Sequence, residues 1–182
     1  MNYANILKCD IANGTGFRVS LFVSGCARHC KGCFNQAAQD PNYGKPFDEY
    51  AKIKIFAELE KDYCKGLSLL GGDPMSKLSD NRKVVIDLCK EVKEKFPGKD
   101  IWMWTGYSFD ELSGDDTAKD IFKYIDYVVD GPFVEELKDV SLRFCGSSNQ
   151  RILKIHKYCA HAVTSYISIL APIAKIEKIT WK

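Results

Sequence analysis

The sequence has 182 residues, which is enough for one compact domain with a sizeable core but too few for two full domains. Hydrophobic residues make up 46%, charged residues 27%, and the formal net charge is +2. This balance excludes bulk electrostatic affinity for nucleic acid or an anionic membrane. No apolar run approaches the ~20 residues that span a bilayer. We therefore expect a single domain over residues 1–182, with no nucleic-acid or membrane partner.

The interpretation of the cysteines depends on the compartment in which the protein works. Residues 1–5 lack the basic and apolar regions of a secretion signal, so we expect a cytoplasmic protein. Disulfides are rare in that compartment, and the eight cysteines are interpreted as thiols or metal ligands. Three of them, Cys26, Cys30 and Cys33, lie within a single short segment.

The first half of the chain predicts a strand, a helix and a second strand. Residues 17–23 are rich in β-branched and aromatic side chains and precede Ser24 and Gly25, which predicts a strand ending in a loop. Between residues 47 and 63 apolar side chains recur at three- and four-residue intervals, as on one face of a helix. Residues 67–70 predict the next strand, which ends at Gly71-Gly72-Asp73-Pro74.

The same alternation continues toward the C-terminus. A second helix has its apolar face between residues 85 and 96 and stops at Pro97-Gly98. Residues 101–104 predict a strand, residues 109–124 a weaker helix, and residues 127–129 a strand ending at Asp130-Gly131-Pro132. This βαβαβαβ order predicts an α/β fold with parallel strands, whose C-terminal ends collect ligands. We expect the cysteine loop and the three later strand ends to form one site.

The spacing Cys26, Cys30, Cys33 is CxxxCxxC, which brings three thiolates to one inorganic cluster from a single loop. Three thiolates on four irons leave one iron open. The other cysteines lie outside any comparable spacing motif; they are Cys9, Cys64, Cys89, Cys145 and Cys159. The alternative is zinc bound by the three cysteines and His29, in a zinc-stabilised interaction module without redox chemistry. We interpret Cys64 and Cys89 as structural thiols.

The cysteine segment, together with Gly-Gly-Asp-Pro after the next strand, resembles the radical S-adenosylmethionine superfamily. Further motifs make the chain similar to the family of anaerobic ribonucleoside-triphosphate reductase-activating proteins; they are Asn13-Gly14-Thr15-Gly16-Phe17-Arg18, Trp104-Thr105-Gly106-Tyr107, Val129-Asp130-Gly131-Pro132-Phe133 and Gly146-Ser147-Ser148-Asn149-Gln150-Arg151. The likeness runs from near residue 5 to about residue 154. Gly32 stands where the wider superfamily usually has an aromatic residue, a change that these activators tolerate.

The resemblance implies a fold and a reaction. The fold is an incomplete (βα) barrel of radical S-adenosylmethionine type, with a curved, mostly parallel sheet and outer helices. Cys26, Cys30 and Cys33 would hold a 4Fe-4S cluster whose open iron binds S-adenosyl-L-methionine. Its reductive cleavage would give a radical that abstracts hydrogen from a glycine of the reductase large subunit, with electrons from a low-potential donor such as flavodoxin. No catalytic side chain is expected beyond the cluster and S-adenosylmethionine.

The resemblance also assigns residues to the cofactor. Gly71 and Gly72 would contact the methionine part, with Asp73 at the position where many members have a glutamate. The nucleoside part would be flanked by residues of the cysteine loop, namely Gly32, Cys33, Phe34 and Asn35. Thr105 and Asp130, at later strand ends, are either cofactor contacts or parts of the loop architecture.

Two questions stay open from sequence. A close alternative is another small radical S-adenosylmethionine enzyme, which activates a different glycyl-radical enzyme or acts on a small molecule such as a deazapurine precursor. Residues 155–182 do not resemble the family's ending, and this tail would either add a strand and a helix to the sheet or dock on the partner. His156, Cys159 and His161 are not interpreted as a metal site, because spacing alone does not support one.

Overall fold

A computed structural model describes residues 1–156 and 175–180 of the chain. The strands of the described chain are β1 (Asn2–Asp10), β2 (Phe17–Val23), β3 (Lys45–Pro46), β4 (Cys64–Gly71), β5 (Asp100–Trp104), β6 (Tyr127–Asp130), β7 (Arg151–His156) and β8 (Lys175–Ile179). They form one sheet in the order β3-β1-β2-β4-β5-β6-β7-β8. The central strands β2, β4, β5 and β6 are parallel, and the pairs at both edges are antiparallel.

Three α-helices and three short 3₁₀ segments lie between these strands. The helices are α1 (Glu49–Leu59), α2 (Asn81–Lys95) and α3 (Phe109–Ser113), and the 3₁₀ segments are Gln36–Gln39, Lys119–Lys123 and Glu135–Leu137. α1 begins where the Asp48 carboxylate accepts a hydrogen bond from the Ala51 amide, and α3 begins with a Ser108–Glu111 capping box. In the part of the chain that the structure describes, no helix combines the length and apolar character needed to cross a bilayer.

The helices cover one face of the sheet and build the main core there. Residues that alternate along β2 and β4 are fully buried with the inner faces of α1 and α2; they include Val19, Leu21, Leu67, Leu69, Ile55, Leu59, Val85 and Leu88. Cys64 and Cys89 are buried in the same core, as expected for structural thiols. This layer fixes the positions of the parallel strand ends.

The opposite face of the central strands is buried too, but it carries polar residues. Arg18 on β2 is fully buried, and its guanidinium pairs with Asp100 Oδ1 at 2.6 Å and donates to Ser68 Oγ at 2.7 Å. Trp102 on this face stacks between Trp104 and Tyr127, with ring centroids 5.6 and 4.5 Å apart. Phe22, Leu70 and Trp104 lie on this face toward the C-terminal ends of the strands, where they line a cavity.

The predicted parallel alternation is confirmed for the strands β2, β4, β5 and β6. β1 and β7 lie outside that alternation and pair antiparallel with β2 and β6. The single helix predicted over residues 109–124 is wrong: α3 ends at Ser113, and a 3₁₀ segment follows at Lys119–Lys123. Asp115 separates the two, because its carboxylate accepts hydrogen bonds from the backbone and hydroxyl of Thr117.

The C-terminal tail contributes one described strand, β8, which pairs with β7. His156 on β7 contacts Glu177 on β8, at 3.0 Å between Nε2 and Oε2. The remaining expectations for this tail, including the helix and the roles of Cys159 and His161, fall on residues 157–174 and 181–182, outside the described residues.

Candidate active site

The cysteine loop leaves β2 and is held by backbone hydrogen bonds to the 3₁₀ segment Gln36–Gln39. The Gly25 amide donates to Ala38 O at 2.8 Å, and the Cys26 amide donates to Gln39 O at 3.0 Å. Gly25, His29 and Gly32 have φ values of 97°, 45° and 68°, which permit the tight turns of this short loop. The loop is therefore a fixed frame for its thiols.

All three predicted cluster cysteines line one cavity of about 320 Å³ at the C-terminal ends of the parallel strands. Their thiols are free, with no disulfide among them. The cavity draws residues from the cysteine loop and from the breaks after β4, β5 and β6, as the strand order predicts. The other lining residues are Asn13, Phe22, Arg28, Phe34, Asn35, Gln39, Leu70, Gly71, Gly72, Asp73, Trp104, Thr105, Gly106, Gly131, Phe133, Phe144, Cys145, Gly146 and Gln150.

Glycine is needed at positions 71 and 72 because the loop after β4 packs directly on the cysteine loop. A Cβ on Gly72 would lie 2.5 Å from Ala38 O and 2.7 Å from Gly25 O. Gly71 has a φ of 114°, and a Cβ there would lie 2.5 Å from Val23 O. Hydrogen bonds seal the contact: the Gly72 amide donates to Val23 O, and the Asp73 amide donates to Gly25 O. Both glycines also line the cavity.

Asp73 joins two of the loops through its buried carboxylate. Oδ1 accepts from Thr105 Oγ1 and from the Met75 amide, both at 2.9 Å, and Oδ2 accepts from the Gly106 amide at 2.9 Å. Burial raises the pKa of Asp73, although these hydrogen bonds act in the opposite direction. Thr105 thus has a loop-positioning contact, and both residues still border the cavity.

Asp130 is not among the cavity-lining residues of the described chain, whereas its neighbour Gly131 is. The Asp130 carboxylate is buried, forms an ion pair with Arg151 and accepts a hydrogen bond from the Phe109 amide at 2.7 Å. These contacts tie β6 to β7 and to the start of α3, and the cofactor contact expected for Asp130 stays a prediction.

The residues after Cys30 occupy two different places. Phe34 and Asn35 line the cavity, and Phe34 is 91% exposed, which excludes it from the protein core. Gly32 instead borders an adjoining groove. Gly32 has a φ of 68°, which strains any side chain, and a Cβ there would lie 2.5 Å from Oε1 of the flexible Glu135 side chain, which would have to move.

Sequence reasoning missed several cavity residues because contacts between distant segments create their positions. Arg28 lines the cavity, with its guanidinium 4.1 Å from the Tyr107 ring centre and Nη2 2.6 Å from Glu111 Oε1. Cys145 is a fourth thiol in the same cavity, and burial raises its pKa. Its place in the cavity could not be predicted from sequence, because Cys145 is distant in sequence from the CxxxCxxC motif.

The donor set fits an iron–sulfur cluster better than a single zinc ion. Among the described residues, no three His, Cys, Asp or Glu side chains are close enough to hold one metal ion. His29, the fourth ligand of the zinc alternative, is exposed, and its Nδ1 lies 3.1 Å from Gln39 Oε1. Three thiols that border one cavity suit a cubane, whose irons bind thiolates at separate corners.

The comparisons with known proteins identify the same class. Residues 12–153 match the family model described as a 4Fe-4S single cluster domain. The chain is 41% identical to a Pasteurella multocida protein over 160 residues, covering 87% of this chain and 100% of the relative. It is 44% identical to a Vibrio cholerae protein (84% and 97% covered) and 42% identical to one from Escherichia coli (82% and 96%).

Each of these three relatives is named anaerobic ribonucleoside-triphosphate reductase-activating protein. At this identity and coverage, the chain belongs to the family of anaerobic ribonucleoside-triphosphate reductase-activating proteins.

Proposed function

We propose that this chain activates the anaerobic ribonucleoside-triphosphate reductase by generating a glycyl radical in its large subunit. Cys26, Cys30 and Cys33 would hold a 4Fe-4S cluster in the cavity. When bound, the cluster and S-adenosylmethionine would supply a one-electron reductive cleavage to methionine and a 5′-deoxyadenosyl radical, which takes a hydrogen atom from the acceptor glycine. The observation that carries the proposal is that three free thiols of one loop border the cavity formed by the strand ends.

The cavity residues would orient the sulfonium substrate. Its volume of about 320 Å³ falls within the range of small-molecule sites. Oδ1 of Asp73 already accepts two hydrogen bonds and Oδ2 accepts one, so Oδ2 retains a lone pair for an ammonium group. Gly71 and Gly72 add open backbone on the same side, whereas Phe34 and Asn35 offer a flat contact for a nucleoside.

Gly32, Thr105 and Asp130 would mainly position the loops around the cavity, and other residues would make most of the contacts with the cofactor. Gly32 lets the cysteine loop approach Glu135, and Thr105 holds the Asp73 carboxylate. Asp130 holds Arg151 and the start of α3. In this assignment the protein supplies orientation and exclusion of water, and no side chain acts as a general acid or base.

We also propose that the sheet is the curved sheet of an incomplete (βα) barrel. The support is that both faces of the central strands are buried, with helices on one face and the cavity residues on the other. Such a barrel would leave its mouth open to a protein substrate. By the family resemblance, the electron would come from a low-potential donor such as flavodoxin, and the protein would work as a cytoplasmic oxidoreductase.

The test is anaerobic reconstitution with iron and sulfide, followed by mixing with the reductase, S-adenosylmethionine and a reductant. We expect 5′-deoxyadenosine together with a glycyl signal in electron paramagnetic resonance (EPR), and neither product with Cys33→Ala. Stoichiometric zinc without iron would support the interaction-module alternative. Turnover of a small molecule with no glycyl signal in the reductase would support the alternative radical S-adenosylmethionine enzyme.

A further inference from the structure

A second cavity of about 310 Å³ adjoins the candidate site and forms a groove at its rim. Four residues border both cavities and make them continuous; they are Phe34, Phe133, Cys145 and Gly146. The outer wall of the groove comes from the segment between the 3₁₀ segment Glu135–Leu137 and β7, chiefly Val140 and Leu142. A chain lying in this groove would lead directly to the cluster cysteines.

The groove presents apolar side chains to solvent. Phe34 and Val140 are each 91% exposed, and Leu142 is half-buried on the same wall. Single exposed apolar residues need no explanation, but a contiguous set around a concave surface marks a binding site. Lys138 and Asp139 also line the groove, and their opposite charges leave it without a strong net charge.

Hydrogen bonds fix the segment that carries Val140. Gln150 accepts from the Gly146 amide at 2.8 Å and donates to Gly131 O at 3.0 Å. Backbone hydrogen bonds join Ser148 to Leu137 and Asp139 to Gly146 across the two sides of this segment. These hydrogen bonds hold Val140 in its exposed position, so the groove is preformed in the unbound protein.

We propose that this groove docks an extended, apolar segment of the reductase polypeptide next to its acceptor glycine. The inference rests on the proposed function. A backbone carbon can reach the cavity only if the chain beside it crosses the rim, and the groove is the apolar part of the rim continuous with the cavity. Because the groove carries no strong net charge, the docked segment is apolar rather than acidic or basic.

The test is Val140→Glu, which places a carboxylate in the groove at an exposed position outside the candidate site. Reductase binding is measured by anaerobic sedimentation, which needs no turnover, and glycyl-radical formation is measured as a function of reductase concentration. We expect the dissociation constant and the half-saturating concentration to rise at least tenfold, because an unpaired charge must be buried with the segment. Formation of 5′-deoxyadenosine without reductase should stay unchanged.

The matched control is Ile53→Glu on α1, where the side chain is 60% exposed and is not among the residues that line the groove. Ile53→Glu should leave the dissociation constant and the half-saturating reductase concentration within about twofold of the wild-type values. Binding of the wild type should change little with salt concentration, because apolar contact drives it. Unchanged binding by Val140→Glu, or steep salt dependence of the wild type, would overturn the groove assignment even where glycyl radicals form. Self-association that Val140→Glu abolishes, with unchanged reductase binding, would assign the groove to a second copy and overturn the proposal as well.

Discussion

Cys26, Cys30 and Cys33 share their cavity with a fourth thiol, Cys145, and the proposed chemistry depends on which of the four bind iron. A cluster closed by four cysteines suits electron transfer alone, whereas three thiolates leave an iron for substrate. Cys145 lies on the segment before β7, at the junction of the cavity and the groove. Cys145 belongs to a different segment from the loop that carries the other three thiols, although it borders the same cavity.

At the residue scale, each of Cys26→Ala, Cys30→Ala and Cys33→Ala should abolish formation of 5′-deoxyadenosine and lower iron content, because each removes one thiolate of the ligand set. Cys145→Ala should retain the full iron content and the EPR spectrum of the reduced cluster. Cys89→Ala, buried under α2, is the control for loss of a thiol that binds no iron. Retained cleavage in any of the first three variants would remove that cysteine from the ligand set.

At the element scale, the loop after β4 depends on close backbone packing against the cysteine loop. Gly72→Ala should destabilise the protein by about 1–3 kcal/mol, because its Cβ would overlap Ala38 O and Gly25 O. Chemical denaturation measures the loss. The matched control is Gly98→Ala after α2, where a Cβ would meet no heavy atom of the described chain within 4 Å. Equal stability of the two variants would contradict close packing of Gly72 against the cysteine loop.

Asp115 links the loop after β4, α2 and the turn after α3. Lys77 and Arg82, followed by Thr117, hold the pKa of Asp115 well below its ordinary value of 3.8. Asp115→Asn should cost roughly 1 kcal/mol at pH 7, a value that allows for solvent screening at this site. A depressed folded-state pKa gives stability that is present above pH 4 and is lost as pH falls toward that pKa.

The difference in unfolding free energy between wild type and Asp115→Asn should therefore stay constant from about pH 8 to pH 5 and narrow below about pH 4. Denaturation curves across this range measure it. A difference that grows in acid would show that Asp115 does not act through its ionised form.

Hydrophobic periodicity was enough to predict the parallel core strands and α2, which are buried against one another. β1 escaped prediction because only Tyr3 and Asp10 in it are buried, so it has no clear apolar alternation. The helix over residues 109–124 failed because side-chain bonds from Asp115 override a weak helical pattern. In the site, local motifs located the cysteine loop and Gly71-Gly72-Asp73-Pro74, whereas the places of Arg28 and Cys145 depend on tertiary contacts.

At the scale of the whole molecule, the two faces of the sheet have different roles. The helix-covered face holds an apolar core that fixes the strand ends, and the opposite face leads through Phe22, Leu70 and Trp104 to the cavity. The groove with Val140 continues from that cavity to the surface. The proposed cofactor site at the strand ends therefore lies next to the proposed docking site for a large protein substrate.

The central claim is that the cluster keeps one iron free for S-adenosylmethionine. The EPR spectrum of the reduced, anaerobically reconstituted protein, recorded with and without S-adenosylmethionine, tests it most directly. We predict that the cluster signal changes shape and g values when S-adenosylmethionine is added, as a new ligand reaches the iron. An unchanged signal at concentrations where S-adenosylmethionine is shown to bind would contradict an open iron and, with it, the proposed activation of the reductase.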